Sequence, residues 1–275
     1  MRLNTIVYPI LMLITVSLNA QNFVWKMQDK RLIEKVGSKY LEGSDEILSL
    51  FEVTQDSLET YRYDNLGFDY KVVERAIGGG YISIRTKFYF RRDSLLGYRI
   101  FLELPDKKPI IQKYKNWYRL SFNINEYKEA INYNLDVMNE PLDSYHGTIT
   151  QEDLNRSVKF YFSTESGIEY GLKGGYSYSY LKNRKHFIEI AESLTGDELE
   201  YLMYSKNPAT RFTAIEYYLK NREKFRLDDS LEHWIKKVFK STTYVKTMNG
   251  CSVEYSDSRL LFGAITGIEI SSYAN

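Results

Sequence analysis

The spacing of apolar residues changes along this chain, and this change constrains the fold more than any other feature of the sequence. In residues 81–90, YISIRTKFYF, every second position is isoleucine, threonine or phenylalanine. Strict alternation of this kind is typical of a half-buried β-strand. From Asn183 onward the apolar residues instead recur at the spacing of an α-helix. The sequence therefore predicts an α+β fold, in which an antiparallel sheet with flanking helices is followed by a small helical cap.

The part of the chain between residues 21 and 182 is predicted to form the sheet domain. Residues 24–41 have helical spacing, and residues 98–104 are predicted to return as a second strand after the turn RRDSLLG. Further elements are predicted from shorter segments. They are strands at residues 117–124 and 157–162, one or two strands within residues 168–181, a helix at residues 125–135 and a capped helical turn at Thr150 and Asp153.

Two helix starts are evident in the region 183–275, which is predicted to be helical. Thr195, with Glu198 three residues later, forms a capping box. Asn207 is a favourable N-cap residue, and Pro208 suits the first helical position because its missing N–H is no loss there. These signals predict two consecutive helices joined by a short turn.

The segment 197–221 resembles a HEAT-like helical hairpin. The matching residues are Leu199, Leu202, Asn207, Pro208, Arg211, Ala214 and Leu219. In that family the asparagine and the arginine help to tie neighbouring units together. The residues to which the resemblance gives a structural role are Asn207, Pro208, Arg211 and Ala214. Residues 245–251 also look like the tail of a similar helical module in uncharacterised exported bacterial proteins, and the resemblance implies no catalytic residues.

A third helix is predicted after this hairpin, with Asp228 or Asp229 as its cap. Its apolar stripe comprises Leu231, Trp234, Ile235, Val238 and Phe239. The sequence contains no second unit of the same hairpin pattern, and a solenoid needs about three repeats before stacking supports itself. We therefore predict a small cap packed on the sheet domain, and not an extended superhelix.

The N-terminal segment, residues 1–20, has the pattern of a secretory signal peptide. Arg2 is its only charged residue, residues 6–18 are largely apolar, and Ala20 is a small residue at the predicted cleavage point before Gln21. The apolar run is shorter than the roughly 20 residues that a membrane span needs. An uncleaved anchor is the alternative. The sequence thus predicts a periplasmic or secreted protein with no transmembrane segment once the leader is removed.

Charge and cysteine content exclude several classes of function. The formal net charge is +1, and it falls to zero when Arg2 is removed with the leader, so the chain lacks the basic surface that nucleic-acid binding requires. Cys251 is the only cysteine, which excludes an internal disulfide and a four-cysteine zinc site. We expect Cys251 to be buried and inert, with a free or intermolecular thiol as the alternative.

No motif in the sequence identifies a catalytic or metal-binding residue. The three histidines are His146, His186 and His233. His186 and Glu189 form an HxxE pair on one helix face, but no further histidine or carboxylate motif completes a metal site. The glycines at positions 78–80 precede a strand and lack the other residues of a phosphate-binding loop, so we predict a turn there. We predict no catalytic residue, no metal and no cofactor.

Three tyrosines, Tyr176, Tyr178 and Tyr180, alternate with serines in the stretch GGYSYSYL. On a strand all three rings would project from one face, about 6.8 Å apart per step. A row of exposed tyrosines can stack on a glycan or hold a protein partner, since tyrosine combines an apolar ring with a polar tip. A covering helix or cross-strand pairing of the rings is the alternative. These three tyrosines are the candidate ligand-binding residues.

The hypothesis that follows is an exported, non-catalytic protein that binds an envelope protein or a glycan, or supports an assembly in the envelope. Its basis is the leader and the helical hairpin, together with the lack of a catalytic motif. A carbohydrate-binding module that uses the tyrosine row is the first alternative. A hydrolase of unrecognised type is the second, and it requires a cleft with converging polar groups.

Overall fold

The computed structural model describes residues 4–54, 63–225 and 230–268. Within these residues the protein has an α+β fold, as the sequence predicts. The helices are α1 (Asn4–Glu42), α2 (Ser44–Leu50), α3 (Lys108–Ser121), α4 (Arg156–Phe162), α5 (Lys182–Ile190), α6 (Gly196–Met203), α7 (Pro208–Lys220), α8 (Ser230–Ser241) and α9 (Ser258–Thr266). The strands are β1 (Asp64–Gly67), β2 (Tyr70–Gly78), β3 (Ser83–Arg91), β4 (Ser94–Phe101), β5 (Ala130–Tyr133), β6 (Lys173–Gly174), β7 (Ser179–Tyr180), β8 (Tyr244–Asn249) and β9 (Ser252–Asp257). In the described part of the chain, no helix is both long and apolar enough to cross a membrane.

Strand pairing follows the order of the chain. β1 to β5 form one antiparallel sheet in which each strand pairs with the next strand in sequence, and β6–β7 and β8–β9 form two separate hairpins. β3 confirms the strand predicted at residues 81–90. β4 overlaps the predicted residues 98–104 but begins at Ser94, because a tight turn at Arg92, whose φ is 54°, reverses the chain early.

The chain divides into two compact units whose segments alternate along the sequence. The first unit comprises Met1–Arg62, Val73–Phe88 and Tyr98–Tyr133. The second comprises Tyr63–Val72, Tyr89–Gly97 and Asn134–Asn275. The domain boundary predicted after residue 182 therefore falls inside the second unit.

In the first unit, the buried carboxylate of Asp29 joins α1 to two other parts of the chain. This carboxylate accepts the backbone N–H of Gly80 at 2.5 Å, the N–H of Tyr81 at 3.0 Å and the hydroxyl of Tyr114 at 2.5 Å. The glycine-rich stretch thus forms the predicted turn between β2 and β3, held on α1 by hydrogen bonds. A methyl group at Gly80 would lie 2.5 Å from the backbone oxygen of Trp25, so a larger residue does not fit there.

The predicted helix starts in the second unit are confirmed. Thr195 Oγ1 accepts the N–H of Glu198 at 3.2 Å, and the Glu198 carboxylate accepts the N–H of Thr195 at 3.0 Å, which is the capping box of α6. The Asn207 side chain accepts the N–H of Ala209 at 3.0 Å, and Pro208 begins α7. α6 and α7 pack together as a helical hairpin. Its assignment to the HEAT-like repeats stays a prediction.

The third predicted helix is α8, which buries its apolar stripe. The buried residues are Leu231, Trp234, Ile235, Val238 and Phe239. The two predicted cap residues, Asp228 and Asp229, lie outside the described residues. The stripe confirms that 3.6-residue spacing in this segment reports a helix.

Two segments predicted as strands are helices. Residues 117–124 belong largely to α3, which has a proline in its first turn and buries two tyrosines one turn apart. Residues 157–162 belong to α4. There the Asn155 side chain accepts the N–H groups of Ser157 and Val158 at 2.9 and 3.0 Å. This local cap starts a helix despite the β propensity of the aromatic residues that follow.

The helix predicted at residues 125–135 is wrong, because this segment contains β5. β5 is antiparallel to β4, with Tyr133 opposite Tyr98 and Ala130 opposite Phe101. The pairing joins segments that are far apart in sequence and separated by α3. Local spacing therefore could not reveal it, since the partner strand decides the conformation.

The region 183–275 is not helical throughout. Residues 244–257 form the hairpin β8–β9 in place of the helical tail predicted at residues 245–251. The turn of this hairpin consists of Gly250, whose φ is 56°, and Cys251, and glycine favours the left-handed conformation that such turns require. Cys251 is exposed on that turn, so the expectation that it is buried is wrong.

Candidate ligand-binding surface

The three candidate tyrosines lie on the hairpin β6–β7, and we call residues 173–180 the tyrosine hairpin. Tyr180 belongs to β7, whereas Tyr176 and Tyr178 lie in the turn between the strands. The prediction that all three project from one strand is therefore wrong. Gly175 and Tyr178 have φ angles of 76° and 48°, and left-handed backbone at both positions ends the extended conformation.

The three tyrosine side chains are open to solvent. Tyr176 is 99% exposed, Tyr178 is 67% exposed and Tyr180 is 50% exposed, so none of the described helices covers them. The ammonium group of Lys173 lies 5.7 Å from the ring centroid of Tyr178 and 5.1 Å from that of Tyr180. The surface thus combines aromatic rings with a cation held by cation–π attraction.

The tyrosine hairpin is fixed to the neighbouring hairpin β8–β9. The N–H of Gly175 donates to the backbone oxygen of Gly250 at 2.7 Å. A methyl group at Gly174 would lie 2.5 Å from Cβ of Met248, so only glycine lets the two hairpins approach this closely. The exposed rings therefore stand on a closely packed base.

Tyr178 has a backbone conformation that is unfavourable for tyrosine. Left-handed backbone costs a residue with a Cβ atom about 1–2 kcal/mol, and glycine avoids that cost. Left-handed backbone of this kind occurs in tight turns, as at Arg92, and it also concentrates at functional sites. The side chain of Tyr178 is mostly exposed, so packing does not explain why tyrosine rather than glycine occupies the position.

The four residues to which the HEAT-like resemblance gives a structural role are buried. They are Asn207, Pro208, Arg211 and Ala214. The Asn207 amide donates to the backbone oxygens of Ser163 and Gly167, each at 2.9 Å. None of the four is open to a ligand, and Asn207 ties the start of α7 to the loop that follows α4.

The guanidinium group of Arg211 is buried without a carboxylate partner among the described residues. It donates to the backbone oxygen of Leu66 at 2.7 Å, to Thr242 Oγ1 at 3.0 Å and to the backbone oxygen of Ser205. Burial lowers the pKa of Arg211 to about 9, so the side chain stays protonated at neutral pH. Arg211 therefore joins three chain segments through neutral acceptors.

A separate cleft in the second unit has a volume of about 340 Å³ and carries both signs of charge. Its lining includes Arg91, Asp143, Ser144 and Lys237, and Arg91 already pairs with Asp143 at 2.6 Å. Within residues 4–54, 63–225 and 230–268, no histidine forms a hydrogen bond with a serine or cysteine. The cleft with polar groups that the hydrolase hypothesis requires is therefore present. The described residues contain no histidine-based nucleophile–base pair to go with it.

The histidine and carboxylate groups of the described residues do not assemble into a cluster of three or more that could hold a metal ion. The HxxE pair exists, since His186 Nδ1 lies 3.4 Å from Glu189 Oε2. The ring of His186 packs edge-on against Phe160, with 4.9 Å between the ring centroids. These contacts show that His186 is a surface residue that packs against Phe160 and Glu189.

Sequence reasoning missed the residues that hold the tyrosines in place. Lys173, Gly174 and Gly175 directly precede the tyrosine row, and their Gly-Gly pair is a turn signal that could have placed a hairpin there. The contact with Gly250 has no local signal, because the two glycines are far apart in the chain. Comparison with known proteins adds no assignment, because no family model, no curated protein and no solved structure matches this chain.

Proposed function

We propose that this is an exported, non-catalytic binding protein whose contact surface is the tyrosine hairpin and whose ligand is a glycan. The leader supports export. The observation that carries the binding role is Tyr178, a mostly exposed tyrosine held in a left-handed conformation on a closely packed base. The chain keeps a strained aromatic residue whose ring is mostly exposed and has Lys173 as a cation–π neighbour, and a ligand covers the exposed part of that ring.

The size of the surface favours a glycan over a protein partner. With about 200 Å² for each aromatic side chain, the exposed parts of the three tyrosines amount to roughly 400 Å². A stable protein–protein interface buries about 800 Å² on each partner. Two or three sugar units need less area, so the tyrosine hairpin alone is sufficient for them.

The chemistry of the surface also suits a carbohydrate. The C–H faces of sugar rings are apolar and pack on aromatic rings, while sugar hydroxyls need donors and acceptors. Ser177 Oγ and Ser179 Oγ lie 3.2 Å apart between the tyrosines, and Lys173 supplies further donors. Apolar and hydrogen-bonding groups therefore alternate over a short distance.

The proposal is tested by removing the rings together. We expect the triple variant Tyr176→Ala, Tyr178→Ala and Tyr180→Ala to bind at least about tenfold more weakly, since each lost aromatic contact is worth about 0.5–1.5 kcal/mol. Affinity electrophoresis through gels that contain soluble gluco-, manno- or xylo-configured polysaccharides measures the change. Tyr244→Ala is the control. Tyr244 is also an exposed tyrosine, at 56%, but it lies on β8 and not on the tyrosine hairpin. Retention of the wild-type protein by none of the glycans, or equal retention of the triple variant, contradicts the proposal.

A matched pair of variants separates the strain at Tyr178 from its ring. Tyr178→Gly and Tyr178→Ala both remove the ring, but only glycine also removes the Cβ atom. We expect the free energy of unfolding of Tyr178→Gly to be about 1 kcal/mol higher than that of Tyr178→Ala. We expect the two variants to lose the same amount of glycan affinity. Urea denaturation followed by circular dichroism gives the first comparison. Equal stability of the two variants would show that the left-handed conformation is not occupied in solution.

A further inference from the structure

A second cleft, in the first unit, has apolar walls and two lysines, and no acidic residue belongs to the part of its lining that the structure describes. Its volume is about 360 Å³. The residues that line it are Asn22, Lys26, Tyr81, Lys107, Pro109 and Ile110. The proposed glycan surface is the tyrosine hairpin, which shares no residue with this cleft. A ligand in the cleft would therefore bind at a separate site.

Both lysines of the cleft lack an anionic partner in the described part of the chain. Lys107 Nζ lies 3.1 Å from the hydroxyl oxygen of Tyr81, 3.3 Å from Asn22 Oδ1 and 4.3 Å from the centroid of the Tyr81 ring. All of these partners are neutral. Among the described residues, no hydrogen bond or ion pair involves the side chain of Lys26. Two ammonium groups in one cleft repel each other unless an anion lies between them.

The closest acidic residue along α1, Asp29, does not neutralise the lysines. It follows Lys26 by three positions, but its carboxylate is buried and already accepts two backbone N–H groups and the Tyr114 hydroxyl. One of those N–H groups belongs to Tyr81, whose ring also packs edge-on against Trp25 at 5.2 Å. Asp29 therefore fixes Tyr81 in the wall of the cleft and leaves both ammonium groups available.

We infer that this cleft binds an amphipathic anion, in which a carboxylate or phosphate head contacts Lys26 and Lys107 and an apolar tail contacts Pro109, Ile110 and the ring of Tyr81. Head and tail match the two kinds of group that line the cleft. Phe23 and Val24, beside the lining residue Asn22, are 66% and 49% exposed. Exposed apolar residues beside cations are typical of a surface that contacts anionic lipid, so the ligand source that we favour is a phospholipid in a bilayer.

The experiment compares two double variants of the full chain that carry the same change in net charge. Lys26→Gln with Lys107→Gln removes the cations of the cleft, and Lys128→Gln with Lys185→Gln removes two exposed lysines elsewhere. Co-sedimentation with phosphatidylcholine vesicles, with and without phosphatidylglycerol, isolates the contribution of the anionic lipid from that of the apolar leader. We expect the cleft variant to lose roughly 30-fold of the phosphatidylglycerol-dependent affinity and the control variant to keep most of it.

Soluble probes identify the chemistry and the source of the ligand. Calorimetric titration with decanoate below its micelle concentration tests a free amphiphile, and titration with inorganic phosphate tests an anion without a tail. Decanoate binding that the cleft variant abolishes, without any vesicle preference, assigns the site to a free amphiphile and keeps the head-and-tail inference. Equal loss of vesicle binding in both double variants overturns the inference, and so does inorganic phosphate that binds as tightly as decanoate, because the apolar wall would then contribute nothing.

Discussion

Replacing Arg211 with alanine is expected to lower the free energy of unfolding by about 4 kcal/mol. The substitution removes a fully buried side chain and leaves the backbone oxygens of Leu66 and Ser205 without their donor. Each unpaired buried acceptor costs about 1–3 kcal/mol, and the cavity adds to this cost. Equilibrium urea denaturation of the purified variant measures the loss directly.

Two further variants show which part of the Arg211 side chain matters. Arg211→Met fills most of the volume but donates no hydrogen bond, so we expect it to recover about half of the loss. Arg156→Ala removes an exposed arginine from α4, and we expect a change within about 0.5 kcal/mol. An Arg211→Ala variant as stable as Arg156→Ala would contradict the buried hydrogen-bond network.

The large loss of stability expected on replacing Arg211 follows from how its buried charge is hydrogen-bonded. Arg184, also buried, pairs with the carboxylate of Glu216 at 2.6 Å, whereas Arg211 depends on neutral oxygens. A methyl group at Gly67, at the end of β1, would lie 2.1 Å from Thr242 Oγ1 and 3.0 Å from Arg211 Nη2. Only a glycine lets β1 approach the guanidinium group, so the network constrains the sequence of the strand as well as that of α7.

Elements defined by local signals could be predicted from the sequence, and elements defined by distant partners could not. The capping box at Thr195 and the cap at Asn207 involve groups within three residues of each other, and the structure confirms both. β5 depends on pairing with β4 across α3, and the aromatic segment of α4 becomes helical because Asn155 caps it. Aromatic residues favour strands only weakly, so a cap or a partner strand decides between the two conformations.

The same distinction applies to the candidate site. The sequence identified Tyr176, Tyr178 and Tyr180 as a group, because their spacing is visible in eight consecutive residues. It placed them on a strand, because nothing in the spacing predicts left-handed backbone at a tyrosine. The packing of Gly174 on Met248, and the cleft that brings Lys26 to Lys107, join positions far apart in the chain. Such sites become visible only when the fold is known.

Raising the pH above about 10 is expected to unfold the protein, because burial raises the pKa of many of its tyrosines. The fully buried ones are Tyr98, Tyr114, Tyr118, Tyr161, Tyr170 and Tyr201. Removal from water disfavours the tyrosinate form, so the pKa of each is raised, and that of Tyr201 reaches about 12. In the unfolded chain the same side chains titrate near their usual pKa of about 10.

The sign of the effect follows from proton linkage. Above pH 10 the unfolded chain releases tyrosine protons that the folded protein keeps, so stability that is fully present below pH 10 is lost as the pH rises towards the folded pKa values. Each buried tyrosine contributes about 1.4 kcal/mol per pH unit, and the six together contribute roughly 8 kcal/mol over one unit. A typical domain has about 5–15 kcal/mol in total. The lowered pKa of Arg211 makes the folded protein more stable as the pH rises, which opposes the effect of the tyrosines. Arg211 is one group, whereas six tyrosines act in the other direction.

A double variant isolates the tyrosine contribution from other alkaline effects. The hydroxyls of Tyr98 and Tyr201 are buried and have no hydrogen-bond partner among the described residues, so Tyr98→Phe with Tyr201→Phe removes two titrating groups without breaking a bond. We expect the double variant to be at least as stable as the wild type at neutral pH, because it loses these two unpaired buried hydroxyls, and its advantage in free energy of unfolding to grow by about 3 kcal/mol one pH unit above 10. Urea denaturation across a pH series, with tyrosinate absorbance recorded in parallel, measures both quantities. Tyrosines that ionise near pH 10 while the protein stays folded would show that water reaches them, which would contradict the burial of these six side chains.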